Sequence, residues 1–125
     1  MPKLAHVNIR TSDLESSVAF YRDVIGLSPG PAATRPDSSD HVWMSDDDAN
    51  PCIHLQRTSA PTTGEELAGL HHVAISCDGL DSWRAKLASM SVDFREADFR
   101  TAQLVQLNLR DPDGVRVELL FEYRQ

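Results

Sequence analysis

Cysteine is scarce in this chain: Cys52 and Cys77 are the only two among 125 residues, too few for a disulfide scaffold. Both sit in apolar, strand-like contexts; they could pair, but reduced thiols in an intracellular protein are expected. No apolar run approaches the ~18 residues of a membrane-spanning helix. No secretory signal is read ahead of the two cysteines, since Met1-Pro2-Lys3-Leu4-Ala5-His6 runs straight into an expected strand, so a cytoplasmic protein with no membrane partner is expected. Positive charge is also in deficit, with 12 Lys+Arg against 19 Asp+Glu and a formal charge of −7. That balance argues against nucleic acids and anionic membranes as partners, since both require a basic surface. A phosphate-cradling glycine loop, a nucleophile elbow and a Cys-x-x-Cys pair are all missing.

What is present is an ordinary globular composition, 41% hydrophobic and 25% charged, in a chain long enough for one domain with a real core. Leu4 to Arg10 alternates as a strand, with Val7 and Ile9 on one face and His6, Asn8 and Arg10 on the other. Ser12-Asp13-Leu14-Glu15 reads as a capping box opening a helix through Leu14, Val18, Tyr21, Val24 and Ile25, which Gly26 stops. Short strands fit near 28–33 and 41–45, and Cys52 to Arg57 alternates as another. Thr58 to Gly69 is a polar linker, either an inert connector or a lid. Beyond it Leu70 to Ser76 reads as a strand, and Asp78 or Asp81 can cap a helix carrying Leu80, Trp83, Leu87 and Met90. Two further strands cover 92–97 and 103–109. The turn Asp111-Pro112-Asp113-Gly114 then delivers the strand Gly114 to Phe121.

In that last strand Val117 and Leu119 share one face, and Arg116, Glu118 and Leu120 the other. A carboxylate there is either solvated on an edge strand or buried in a central one, where it needs a partner such as a metal ion. The internal repeat bears on the choice. His6 aligns with His72 at an offset of 66, bringing Ile9 onto Ile75 and Leu14 onto Leu80; His54 aligns with Glu118 at an offset of 64. Two modules, about 1–57 and 70–125, therefore each read strand–helix–strand–strand–strand, an α+β arrangement. Each carries a polar ligand-type residue in its first strand and another in its last. His6, His54, His72 and Glu118 are thus four metal-competent side chains in matched places. Imidazole and carboxylate suit Zn²⁺, Fe²⁺, Ni²⁺, Mn²⁺ or Co²⁺.

The motifs His6-Val7-Asn8-Ile9, Asp13-Leu14-Glu15 through Phe20-Tyr21-Arg22-Asp23-Val24-Ile25-Gly26-Leu27, His72-Val73-Ala74-Ile75, and Asp111-Pro112-Asp113-Gly114 leading to Val117-Glu118-Leu119 resemble the vicinal oxygen chelate superfamily. This is the glyoxalase, bleomycin-resistance and extradiol-dioxygenase group. The resemblance spans nearly the whole chain. It implies two βαβββ modules forming a curved mixed sheet, completed in a homodimer, and a single domain. It also implies a divalent metal ion held by His6, His72 and Glu118, with His54 where bacterial glyoxalase I resemblers carry a glutamate. The expected function is a lyase or isomerase using the ion as a Lewis acid on a small oxygen-containing substrate, with Glu118 and His54 as catalytic residues. Two alternatives stand beside it. One is a non-haem Fe(II) ring-cleaving dioxygenase built on His6, His72 and Glu118, and the other a metal-free drug-binding resistance protein.

Other residues carry weaker signals. His71, next to His72, is expected to point the opposite way, as a structural or rim residue, and His41 to be a surface residue with nothing to pair with. Arg10, Gln56 and Ser76 share a face with His6, His54 and His72 and could touch substrate or be solvated. Trp43, Phe94, Phe99 and Phe121 either line a pocket or pack in the core.

Overall fold

The computed structural model describes residues 4–59 and 71–123. Leu70, and the linker at 58–69 apart from Thr58 and Ser59, lie outside the described residues. The chain divides into two compact units, Met1–Thr62 and Thr63–Gln125. The first runs β1 (Val7–Thr11), α1 (Leu14–Ala19), a π-helical segment (Phe20–Ile25), β2 (Ser28–Pro31), β3 (His41–Ser45) and β4 (Pro51–Arg57). The second runs β5 (His72–Ser76), α2 (Leu80–Ser89), β6 (Arg95–Phe99), a short 3₁₀ turn (Arg100–Ala102), β7 (Leu104–Arg110) and β8 (Arg116–Glu122). Each unit has its own four-stranded mixed sheet, ordered β1-β4-β3-β2 in one and β5-β8-β7-β6 in the other. This is the expected α+β arrangement.

The repeat holds to the residue. In the first module Asn8, His54, Trp43 and Gly30 line up across β1, β4, β3 and β2. In the second, Ala74, Glu118, Asn108 and Arg95 line up across β5, β8, β7 and β6. In both, the last strand is parallel to the first and antiparallel to the third, so it is central. The solvated-edge reading of Glu118 therefore fails: the residue is 6% exposed.

Alternation explains the rest of the packing. Ile9, Met44, Ile53 and Leu55 form the buried face of the first sheet, joined by Leu14, Tyr21, Val24 and Ile25 of the helical segment; α1 packs on β4. Val105, Leu107, Leu109, Val117, Leu119 and Phe121 form the buried face of the second, so Phe121 is core. The opposite faces carry the polar residues. Tyr21 is fully buried inside the π-helical turn, and Gly26, at φ 95°, closes the segment in a left-handed conformation open to glycine.

Two expected caps differ. The α1 cap is Asp13, not Ser12: its Oδ1 accepts from Ser16 N at 3.1 Å, while Thr11 Oγ1 accepts from Asp13 N at 3.1 Å. Strand β1 extends to Thr11, which moves the helix start one residue later and frees Glu15 to bind Arg57 Nη2 at 2.7 Å. The α2 cap is Gly79, with no side-chain bond, rather than Asp78 or Asp81; Asp81 instead meets Arg84 at 2.7 Å. Cys52 and Cys77 are not joined in a disulfide.

The turn ahead of β8 is held by a buried carboxylate. Asp111 Oδ1 accepts from Asp113 N at 2.9 Å and from Val115 N at 2.8 Å, and Gly114, at φ 85°, donates to Asp111 O at 2.9 Å. Replacing Asp111 with alanine leaves buried amides unsatisfied. Chemical denaturation should show a loss of about 1–3 kcal/mol, and wild-type stability for Asp111→Ala would contradict this role.

Candidate functional site

The second module supplies the tightest pairing of predicted ligands. His72 opens β5, Glu118 lies mid-strand in β8, and parallel pairing sets Arg116 beside His72 and Glu118 beside Ala74. His72 therefore reaches diagonally to Glu118, with Nε2 3.3 Å from Oε2. The carboxylate is buried, whereas the imidazole is about two-fifths exposed. Arg116 stands on the other side, with Nε 3.9 Å from Glu118 Oε2, too long for a hydrogen bond. It donates instead from Nη2 to Asn108 Oδ1 at 3.3 Å.

His71 does not turn away from its neighbour. Its Nδ1 is 3.0 Å from His72 Nδ1, so one nitrogen donates and the other accepts. The strand begins only at His72, and strict alternation does not reach back to His71. The contact occupies Nδ1 of His72 and leaves Nε2 facing Glu118. That is how a partner on one ring nitrogen fixes the tautomer and direction of the other.

The first module gathers rings. His54 lies in β4 directly across from Trp43 in β3, and His41 pairs with Gln56 two residues on. The His54 ring centre is 5.8 Å from Trp43, 6.0 Å from His6 and 5.0 Å from His41. His6 precedes β1 and lies 5.3 Å from Trp43. The expectation that His41 has no partner is wrong: His41 Nδ1 and His54 Nε2 are 2.8 Å apart. A bulge between Met44 and Ser45 shifts the β3–β4 register by one residue, and the shifted register makes His41 and His54 diagonal neighbours on one face. The sequence carried no signal for that bulge. Trp43 Nε1 is buried without a hydrogen-bond partner among the described residues.

Burial, together with the nearby His41, His6 and Arg35, pulls the His54 imidazole below its ordinary value. His54 is accordingly neutral at pH 7 and able to offer a lone pair. Within neither module, among the described residues, do three or more His, Cys, Asp or Glu side chains stand placed to hold a metal ion. His6 and His54 lie together in the first, and His72 and Glu118 in the second.

The weaker candidates divide. Arg10 pairs with Gln56 across β1 and β4, on the same face as His54. Ser76 pairs with Leu120 on the face of His72 and is exposed. Phe99 is 47% exposed, Phe94 lines an open groove, and Trp43 stacks among the histidines.

In metal-free protein, an NMR titration should show His54 gaining its proton below the ordinary histidine range. His41→Ala removes a neighbouring positive charge at low pH and should move that midpoint upward. An unshifted midpoint in wild type, or a downward move in the variant, would contradict the assigned cause.

Comparison with known proteins agrees with the fold. A family model described as the Glyoxalase/Bleomycin resistance protein/Dioxygenase superfamily matches residues 3–119. Methylmalonyl-CoA epimerase, mitochondrial, of Mus musculus is 28% identical over 128 residues, covering 94% of this chain and 71% of the relative. Glyoxylase I 4 of Arabidopsis thaliana is 25% identical, covering 95% and 70%. Among solved structures, a glyoxalase/dioxygenase from Nostoc punctiforme superposes with a TM-score of 0.78 at 18% identity, covering 96% of this chain and 90% of that one. The paired βαβββ modules and the matched family model together place the chain in the glyoxalase/bleomycin resistance/dioxygenase superfamily, the vicinal oxygen chelate group.

Proposed function

We propose that the protein is a metal-dependent, glyoxalase-like enzyme of the lyase or isomerase type, acting on a small oxygen-containing substrate. The observation that carries the reading is the close approach of His72 Nε2 to Glu118 Oε2, 3.3 Å, with the carboxylate buried in a central strand. Two donors on ~2.0–2.2 Å arms around a tetrahedral ion stand about that far apart. The donor chemistry also fits, since imidazole and carboxylate bind Zn²⁺, Ni²⁺, Co²⁺, Mn²⁺ or Fe²⁺. The proposed ligands are His72 and Glu118 with their repeat counterparts His6 and His54.

When bound, the ion supplies Lewis acidity to one or two substrate oxygens, worth several kcal/mol of transition-state charge stabilisation. The chain's own residues do the rest. His71 fixes the direction of His72. Glu118 serves as ligand and moves a proton at a carboxylate oxygen. His54, kept neutral by burial, is either the fourth ligand or, off the metal, a general base, with His41 Nδ1 hydrogen-bonded to its Nε2. The relatives named as an epimerase and a glyoxylase support isomerase or lyase chemistry ahead of oxygen activation.

Elemental analysis of protein purified without chelator or histidine tag should find one Zn²⁺, Ni²⁺, Co²⁺ or Mn²⁺ per chain. His72→Ala and Glu118→Gln should lose the ion, while His71→Ala should weaken its binding by about tenfold, as changes to a ligand's hydrogen-bond partner do. Iron with oxygen uptake would move the reading to a dioxygenase. No retained metal, with tight binding of a drug-sized ligand, would overturn it in favour of a binding protein.

A further inference from the structure

The polar face of the second sheet holds more guanidinium groups than its acids balance. Pairing puts Arg110 of β7 directly across from Arg116 of β8, and Arg95 of β6 across from Asn108. Like charges directly opposite on neighbouring strands repel, so this arrangement is unfavourable without an anion. Arg110 donates from Nη1 to Gly114 O at 2.8 Å, which satisfies a donor and leaves the charge unpaired. Arg116 makes the long bond to Asn108 Oδ1, and its Nε is buried with no hydrogen-bond partner among the described residues. Arg95 forms no ion pair among the described residues.

These three arginines line one open groove of about 1090 Å³ together with Asn108 and Phe94. Two acids also line it. Glu96 is held by Arg84, whose Nε donates to Oε1 at 2.7 Å, leaving Asp93 on the rim. Glu118 faces Arg116 at 3.9 Å and balances one of the three charges, which leaves Arg95 and Arg110 in excess. In a chain of net charge −7, a groove walled by three arginines is a local reversal of sign.

We infer that this groove is an oxyanion subsite that takes a carboxylate or phosphate group of a small molecule. The planar fork of a guanidinium matches two oxygens of either group, and Arg95 and Arg110, both exposed in the groove, can present theirs to it. Arg116 also stands beside His72 in register, two residues before Glu118. An anion held there sets the rest of its molecule next to the His72–Glu118 pair. That last step rests on the proposed function; the anion subsite does not.

The test uses the full chain stripped of metal with chelator and then dialysed free of it at low ionic strength, so that neither metal nor chelator carboxylates affect the outcome. Inorganic phosphate and malonate are titrated separately by calorimetry and by amide chemical shifts. Saturable binding of at least one probe is expected, and whichever binds tighter names the source of the oxyanion. Arg116→Gln and the exposed Arg110→Gln should each weaken it by about tenfold, the loss of one charged hydrogen bond. Arg35→Gln in the first module should leave it unchanged. Lack of saturation by either probe, unchanged binding in both groove variants, or equal weakening by Arg35→Gln would overturn the proposal.

Discussion

In both modules the last strand is clamped between the first strand, to which it is parallel, and the third, to which it is antiparallel. That single pairing rule governs the rest. A strand with neighbours on both sides has its backbone paired along both edges, and on β8 Val117, Leu119 and Phe121 share the buried face. It also carries its opposite face into the middle of the sheet, where a polar residue is held among others rather than surrendered to water. His54 and Glu118 occupy that place by the same register, and the residues around them follow from the strands beside them: Trp43 and Asn8 in one module, Asn108 and Ala74 in the other.

The two central positions have diverged chemically within a shared frame. Glu118 has a histidine and an arginine for neighbours, at 3.3 and 3.9 Å from the same carboxylate oxygen. His54 has two histidines and a tryptophan, a setting that disfavours charge on the imidazole. One module therefore offers an anionic donor and the other a neutral one. Under the proposed function, these are the two roles that Lewis-acid chemistry needs, holding a cation and accepting a proton.

The element order and the repeat were legible because strand alternation and helical spacing leave marks within a few residues of each other. The central place of β8 was not legible in the strand itself, where an edge and a central placing both fit; only the repeat, with its matched ligand-type residues, bore on it. The α1 cap was misplaced by one residue because Ser12, Asp13 and Thr11 can all cap, and only the length of β1 chooses among them. The partners of His41 and His71 were missed for a different reason. Each depends on where a strand begins or how a hairpin is registered, and those are tertiary facts that periodicity does not carry. The arginine groove was likewise invisible, because Arg95, Arg110 and Arg116 look like solvated charges until three strands bring them to one face.

A buried carboxylate kept for binding should be a burden to the empty fold, whereas one kept for structure should support it. Denaturant unfolding of wild type and Glu118→Gln, each with chelator and with added Zn²⁺, separates the two. The account predicts that the metal-free variant is at least as stable as metal-free wild type, and that Zn²⁺ stabilises wild type alone by linkage. A variant that is less stable by more than about 1 kcal/mol without metal, or that Zn²⁺ stabilises equally, would contradict it.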